Sequence, residues 1–479
     1  MVAQENLDLL VKVRTLARQP ISPKEKLVLK MRLNRAVSEY NTVLRIEKLY
    51  RKCMKDIKAV VLAAGFGTRM KTEKPKVLHR VGSETILGRI ISSLKKTGIK
   101  DIVIVVGYKA EMIEKEFKNK AVFVRQKELL GSGDALKCAL AGIKNFKGDL
   151  LVTCGDAPLM TPEIFENLRQ QKEQANAACV VLTCDVNDPF GYGRIVRDGS
   201  GKVTRIVEEK DASGDEKRIK EINVGTYCFD AEKAVRNIGR IQQNNIKKEF
   251  YLTDIIDILV KDRETVAAWK CREEEATGVN CRKDLAVVNK ILNKAKIEKL
   301  MESGVTVVDP DAVYVDETAV IGKDTIIYPF TVIEEDVVIE DECRIGPFAR
   351  IRPGSRICKG AEIGNFVEIC RTEVGEGTKV KHHTYLGDSV VGKGVNIGAG
   401  TITANYDGKN KNRTVIKDGA FVGVGATLIA PVTIGEKAVV GAGSVVTKNK
   451  NVKNGETVVG VPARTFRKNI KAKGKVKNG

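Results

Sequence analysis

Isoleucine recurs at every sixth position through Ile321, Ile327, Ile333, Ile339, Ile345, Ile351, Ile357, Ile363 and Ile369. Neither the 3.6-residue period of a helix nor the two-residue period of a single strand produces that spacing. A three-sided coil does, because each side carries one short strand with one inward aliphatic side chain, and stacked coils bury these in ladders. The period slips by one residue at Val374, Val380 and Leu386, slips again at Val391 and Ile397, and returns at Val422, Leu428, Ile434, Val440 and Val446. With three sides per coil, the stretch 321–446 predicts a parallel β-helix of about seven coils.

The polar and apolar positions upstream follow other periods. Ser22-Pro23-Lys24-Glu25 has the form of a capping box with proline at the first helical position. Leu29, Leu33, Val37, Tyr40 and Leu44 then recur at helical spacing to about Cys53, so residues 1–56 read as a separate helical extension. From Ile57 to about Cys281, strand-like runs alternate with helical stretches. The runs are Ala59–Ala63, Ile102–Val106, Val122–Val124, Leu150–Cys154, Val180–Cys184, Val224–Phe229 and Val266–Trp269. With helices over Thr85–Thr97 and Ser132–Ala141, residues 57–281 predict an α/β domain around a mostly parallel, doubly wound sheet. A linker helix over 282–304 leads through Ser303-Gly304 into the β-helical domain, 305–467. The basic tail, 468–479, has five lysines and no apolar periodicity and reads as disordered.

The formal charge of +21 invites a nucleic-acid reading, but its distribution argues against one. Residues 1–58 hold 14 Lys/Arg against 6 Asp/Glu, and 448–479 hold 10 against 1, which leaves the long middle nearly balanced. Attraction to polyanions is therefore a property of the ends, and specific nucleic-acid binding is not expected. Eleven cysteines without Cys-x-x-Cys spacing, and three histidines (His79, His382 and His383), assemble no familiar zinc cluster. Free thiols in a reducing cytoplasm are the expectation. No run approaches a membrane span.

Candidate chemistry begins where the first strand runs into Ala64-Gly65-Phe66-Gly67-Thr68-Arg69-Met70. Small residues let backbone N–H groups approach phosphate oxygens, and Arg69 adds a fixed positive charge. Pro75-Lys76 brings a second cation. Taken alone, Gly-x-Gly after a strand more often marks a turn. A later strand ends at Gly155-Asp156, a carboxylate at the carboxyl end of a sheet, where open α/β folds keep their ligands. It suits Mg²⁺, which takes one or two protein oxygens and completes its shell with water and phosphate.

With these residues in view, the chain resembles the sugar-1-phosphate nucleotidyltransferases. More closely, it is similar to the family of bifunctional N-acetylglucosamine-1-phosphate uridylyltransferases/glucosamine-1-phosphate acetyltransferases of bacterial cell-wall synthesis. The resemblance covers about residues 57–465. It is carried by Leu62 through Met70, Pro75 through His79, Gly155-Asp156, Gly191 through Arg194, Ile206 through Asp211, Glu221 through Asn223 and Gly278 through Asn280. It continues through Gly346–Gly354, Gly364–Glu368, Thr384–Asp388 and Asn396–Gly408. The fold it implies is a Rossmann-like nucleotidyltransferase domain followed by a left-handed β-helix of hexapeptide repeats, trimeric, with acetyl sites between subunits.

The activity it implies in the first half is in-line attack of N-acetylglucosamine 1-phosphate on the α-phosphorus of UTP. Arg69 and Lys76 then steady the triphosphate over the Leu62, Ala63, Ala64, Gly65, Gly67, Thr68 loop and Gly155, while Asp156 and Asn280 hold Mg²⁺. Gln126, Gly131 and Ser132 select uracil, and Gly193, Glu208 and Asn223 grip the sugar. Phe66 stands where the family usually has a basic residue, which implies slower turnover.

In the second half the resemblance implies acetyl transfer from acetyl-CoA to glucosamine 1-phosphate, with His382 as general base, a task suited to imidazole. Arg352, Tyr385 and Asn396 hold the sugar phosphate, and Lys411 reaches it from a neighbouring subunit. Asn405 and Tyr406 flank the acetyl group, and Ala399, Ala442 and Arg464 serve the cofactor. Three residues depart from the family. Cys370 stands in place of a substrate-binding lysine, and strand alternation turns the neighbouring Arg371 to the opposite side. Val424 replaces a serine, and Gly460 stands where an arginine is usual. Losing one charged contact costs about 1.5–3 kcal/mol, enough to raise KM without abolishing chemistry. The competing readings are a single-activity nucleotidyltransferase whose prism only oligomerises, and an inactive nucleotide-sugar-binding scaffold.

Overall fold

The computed structural model describes residues 56–143 and 145–466. The amphipathic helix expected ahead of Asp56 and the tail 468–479 lie outside them. The described chain divides into two compact units.

The first unit comprises the chain up to Gly65, Ile91–Cys154 and Thr161–Glu273. Its strands are β1 (Ile57–Ala63), β2 (Ile102–Val106), β3 (Val122–Arg125), β4 (Asp149–Cys154), β5 (Cys179–Asp185), β6 (Arg194–Arg197), β7 (Val203–Val207), β8 (Glu221–Asp230) and β9 (Val266–Lys270). They form one sheet in the order β9-β5-β8-β4-β1-β2-β3, and the β6–β7 hairpin attaches to β8. Every residue of β2 is buried, as a central parallel strand requires, because such a strand is covered on both faces. One side of the sheet carries Leu136 and Leu140 of the helix Ser132–Ala141 and Ile255, Ile256 and Leu259 of the helix Asp254–Lys261, packed on Val60, Val105, Val152 and Phe229.

Along its main path the sheet is mostly parallel, with one strand reversed. β8 runs antiparallel to both neighbours, β4 and β5. It is entered from the β6–β7 hairpin through one four-residue helical turn, Gly214–Lys217, too short for the crossover that a parallel strand needs.

The second unit comprises Phe66–Ile90, Gly155–Met160 and the chain from Glu274. Met70, Val81, Ile86, Leu159, Val279 and Val288 share one small core, closed by the long helix Arg282–Glu302. From Thr306 the chain winds into three sheets of ten, eight and seven short strands. All nine isoleucines of the six-residue series are buried. Each contributes about 1.5–3 kcal/mol through burial, and together they line one continuous core.

The irregular stretches of the series have simple structural causes. Ile357 pairs with Val374 and Val374 with Val391, 17 positions apart, so two successive coils each lose one residue. The lost residues fall at corners where Arg371 and Asp388 take positive φ, 47° and 50°. Ile397 pairs with Val422, 25 positions on, because residues 405–413 leave the coil as a loop.

Candidate active sites

In the second unit, four polar side chains foreseen from sequence converge. Lys76 Nζ donates to Asp156 Oδ2 at 2.6 Å and to Asn280 Oδ1 at 3.1 Å, and Arg69 Nη2 donates to the same Asn280 oxygen at 2.8 Å. Backbone bonds set the two acceptors in place. Val279 N–H donates to Asp156 O at 2.8 Å, and Asn280 N–H donates to Asp284 Oδ2 at 2.8 Å, in the first turn of the long helix. Gly67 has φ 62° and a Cβ there would lie 2.7 Å from Lys76 Cβ, so glycine is what lets the loop fold down beside the lysine. Thr68 opens a single 3-10 turn that ends at Met70.

The donor set fits a hard divalent ion. Two oxygens, one a carboxylate, already share one cationic nitrogen, and magnesium asks for few protein ligands. Among the described residues no group of three or more His, Cys, Asp or Glu could hold a metal; the oxygen that shares the lysine with Asp156 is the Asn280 amide. Asp284 escaped the sequence reading; Asn280 followed four residues later by a helix-capping acid was its signal.

In the first unit, Leu62 and Ala63 end β1, and Ala64 O accepts from Tyr108 N–H at 3.1 Å. Gly65 is open, with nothing within 4 Å of a notional Cβ. Gln126 is buried, and its Nε2 donates to Gly131 O (3.1 Å) and Asp134 Oδ2 (2.7 Å), which fixes the amide plane. Gly131 has φ 113°, and a Cβ on it would meet Phe250 O at 2.6 Å. Ser132 Oγ accepts from Leu252 N–H at 3.0 Å.

Gly193, Glu208 and Asn223 also come together. A Cβ on Gly193 would lie 3.5 Å from Glu208 Oε1 and 3.6 Å from Asn223 Cβ. Asn223 is held by its Nδ2 donating to Tyr227 Oη at 2.7 Å, and Glu208 accepts from Thr253 Oγ1 at 3.1 Å. Burial pushes the Glu208 carboxyl up, and burial with the charges of Glu208, Asp257 and Asp211 pushes Asp254 up to about 6. Tyr251 is buried beside them with its hydroxyl unpaired. Thr253, Asp254 and Tyr251 were missed, since no single spacing in the sequence marks them.

On the β-helix, His382 ends the strand Lys379–His382 and is exposed. Its Nδ1 lies 2.6 Å from Asn365 Oδ1, the residue in register one coil earlier. An amide oxygen only accepts, so Nδ1 is the donor of this pair, and in the neutral imidazole Nε2 then holds the lone pair. Asn365 thus holds the His382 ring through one nitrogen, a contact that sequence reading did not single out.

Val380 pairs with Ile397, which puts Ala399 at the position of His382 one coil on. Gly425 N–H donates to Ala399 O and Gly443 N–H to Val424 O, so Ala399, Val424 and Ala442 follow in one column. The corner beside that column is aromatic through Phe330, Phe348, Phe366 and His383, stacked at 4.9–5.1 Å, and glycine thereafter at Gly400, Gly425 and Gly443.

Arg352 pairs with Glu368 at 2.9 Å. Tyr385 lies on the strand Tyr385–Gly387 of the eight-stranded sheet and Asn396 on Asn396–Ile397 of the ten-stranded one. Asn405 is buried and donates to Asp388, whereas Tyr406 is exposed on the loop with its hydroxyl on Gly408 O. Asp407 ties that loop through Lys409 N–H, Asn410 N–H and Asn412 Nδ2. Arg464 lies in the closing antiparallel strand.

Strand alternation misplaces Arg371. The strand Glu368–Cys370 stops at Cys370, and the positive φ of Arg371 folds its side chain back, so that Nη1 lies 2.9 Å from Cys370 Sγ.

A family model for the MobA-like NTP transferase domain matches residues 59–212, and the bacterial transferase hexapeptide model matches 318–353, 336–371 and 413–448. Fold, clusters and matches define the class: a nucleotidyltransferase joined to a hexapeptide-repeat acyltransferase. Two relatives span nearly the same length. The bifunctional protein GlmU of Carboxydothermus hydrogenoformans is 43% identical over 427 residues, 82% of this chain and 95% of the relative. That of Pelotomaculum thermopropionicum is 46% identical over 411 residues, 79% of this chain and 90% of the relative. The chain belongs to the GlmU family of bifunctional enzymes.

Proposed function

We propose that the chain makes UDP-N-acetylglucosamine by two transfers: N-acetylation of glucosamine 1-phosphate by acetyl-CoA, assigned to residues 305–467, and uridylyl transfer from UTP, assigned to 57–281. The observation that carries two activities over one is the His382–Asn365 pair. A prism that only oligomerises has no use for an exposed imidazole with one nitrogen locked and the other left basic.

In acetyl transfer, His382 Nε2 takes the proton from the amine as nitrogen attacks the thioester carbonyl. The N–C bond forms, the C–S bond breaks and the CoA thiol leaves. Asn365 holds the imidazole in the productive tautomer. Arg352, Tyr385 and Asn396 bind the sugar phosphate, Asn405 and Tyr406 orient the acetyl group, and the Ala399–Ala442 column with Arg464 receives the cofactor.

In uridylyl transfer, a phosphate oxygen of the sugar attacks the α-phosphorus and pyrophosphate leaves. Such a transition state needs positioning and charge neutralisation more than covalent help. Arg69 and Lys76 supply fixed positive charge at the triphosphate, Gln126 with Gly131 and Ser132 recognises uracil, and Gly193, Glu208 and Asn223 orient the acetylated sugar. Mg²⁺ bound by Asp156 and Asn280 would supply further neutralisation at phosphate oxygens.

The enzyme acts in the cytoplasm as a homotrimer, feeding peptidoglycan and lipopolysaccharide synthesis. Supporting the assembly, the hexapeptide prism exposes apolar area at Val320, Val332, Ile402 and Phe421 that subunit contacts would cover. Supporting the compartment, the ten described cysteines are all free thiols. Among the described residues no helix is long and apolar enough to cross a membrane.

One assay tests the reading. With acetyl-CoA, glucosamine 1-phosphate, UTP and Mg²⁺, free thiol and pyrophosphate are followed separately. His382→Ala lowers thiol release by about 10²-fold or more, while pyrophosphate release from added N-acetylglucosamine 1-phosphate survives. Pyrophosphate without any thiol from the unaltered enzyme selects the single-activity reading, and neither product selects the scaffold.

A further inference from the structure

We propose that Arg371 binds the phosphate of glucosamine 1-phosphate during acetyl transfer, supplying the cation that Cys370 cannot. The inference rests on the acetyl-transfer reading above. Cys370 is buried and cannot contact a substrate. The side chain that covers it is Arg371, whose Nη1 lies 2.9 Å from the sulfur. Both shortened corners of the prism, at Arg371 and Asp388, lie in one stack, and that stack aims the guanidinium. Arg371 Nε donates to Asp388 Oδ1 at 2.6 Å and Nη2 to Oδ2 at 2.8 Å, a two-pronged pair that sets the plane of the group. The coil before contributes Gly354, whose notional Cβ would lie 3.5 Å from Arg371 Cγ, so a side chain there would crowd the arginine.

The same corner opens a cavity of about 410 Å³ under the loop 405–413. Its charged lining is Arg371, Lys411 and Arg413 against Asp388 and Glu373. Both Asp388 oxygens are already engaged by Arg371, and Lys411 lies near enough to help hold the Asp388 carboxyl below its usual range. Lys411 and Arg413 form no ion pair among the described residues. The cavity therefore carries surplus positive charge, the condition a phosphate dianion requires. Arg371 still has two of its five N–H groups to offer, since three serve Asp388 and Cys370. Its place beside the acetyl chemistry follows from Asp388, which also accepts from Asn405.

The orientation of the pair separates it from the ordinary ion pairs of the prism. In Glu334–Arg350, Glu340–Arg356, Glu362–Lys381 and Glu376–Lys393 the acid lies one coil before the base. Arg371–Asp388 runs the other way, as does Arg352–Glu368, the arginine foreseen for the sugar phosphate.

Steady-state acetyl transfer by the full chain, read as thiol release, tests the inference on Arg371→Ala and Arg371→Lys. Arg371→Ala raises KM for glucosamine 1-phosphate about tenfold or more, while kcat and KM for acetyl-CoA stay within about twofold. Arg371→Lys keeps the charge and recovers most of the loss, and inorganic phosphate inhibits the alanine variant less than the unaltered enzyme. Pyrophosphate release by the same preparations reports that the chain is folded. An unchanged KM for the sugar phosphate, or a fall in kcat with both KM values unchanged, overturns the assignment of Arg371 alone. Absence of thiol release from the unaltered enzyme overturns the acetyl-transfer reading beneath it.

Discussion

The ammonium of Lys76 stands 2.6 Å from Asp156 Oδ2, on an oxygen that a magnesium ion would claim. One tethered cation holds the place of another. Lys76→Met removes the competing charge, frees Asp156 Oδ2 and leaves Asn280 Oδ1 to Arg69 alone, so Mn²⁺ titrated into the nucleotide-free protein binds about tenfold more tightly than to the unaltered chain. Calorimetry or the paramagnetic signal of free Mn²⁺ reads this without turnover. Equal affinities would show that the lysine does not guard the site. The same variant loses uridylyl transfer and keeps thiol release.

His382→Ala lowers acetyl transfer by about 10²–10⁴-fold, the range of general-base catalysis, and Asn365→Leu lowers it about tenfold by releasing the imidazole. Both leave pyrophosphate release intact. If Asn365→Leu matched the unaltered enzyme across pH, the hydrogen bond would not govern the tautomer.

The raised carboxyl of Asp254, at about 6, sets a stability trend with pH. In the unfolded chain this group ionises near 3.8, so between the two values the folded state binds the extra proton. Asp254 therefore weakens the fold as pH rises through 6, and the whole penalty is present above it. Asp254→Asn raises the thermal midpoint at pH 7.5, and the gain fades as pH drops toward 4. A gain that is constant with pH contradicts the shift.

Ile351→Ala empties a fully buried rung and costs about 2–5 kcal/mol. Arg350→Ala, one residue earlier and outward with an exposed pair to Glu334, costs no more than about 1 kcal/mol. Scanning calorimetry of the two variants measures the contrast. Equal losses would mean that the ladder is not the source of stability in this half.

Much of this was legible in one dimension. The isoleucine series fixed the prism because a period of six has one economical spatial solution, and all nine residues are buried. Strands β1, β2 and β4 were visible through the aliphatic runs at their centres. The antiparallel course of β8 was not, because Glu221–Asp230 alternates no differently from a parallel neighbour and only its pairing with β4 and β5 decides the direction. Asn365 and Thr253 went unseen for a related reason. Each acts on a functional side chain through a contact that no local pattern encodes.

Sequence alone determined which groups were at hand: the glycine loop, the two cations, the carboxylate, the amide and the imidazole, and the repeat that carries the last of these. Tertiary structure decided where their atoms point. It turned Arg371 over Cys370 through one left-handed residue at a shortened corner, and it brought Lys76, Asp156 and Asn280 to a single point across more than two hundred positions of chain. Side-chain identity follows from covalent order, whereas direction follows from backbone dihedrals and packing that distant segments impose on one another.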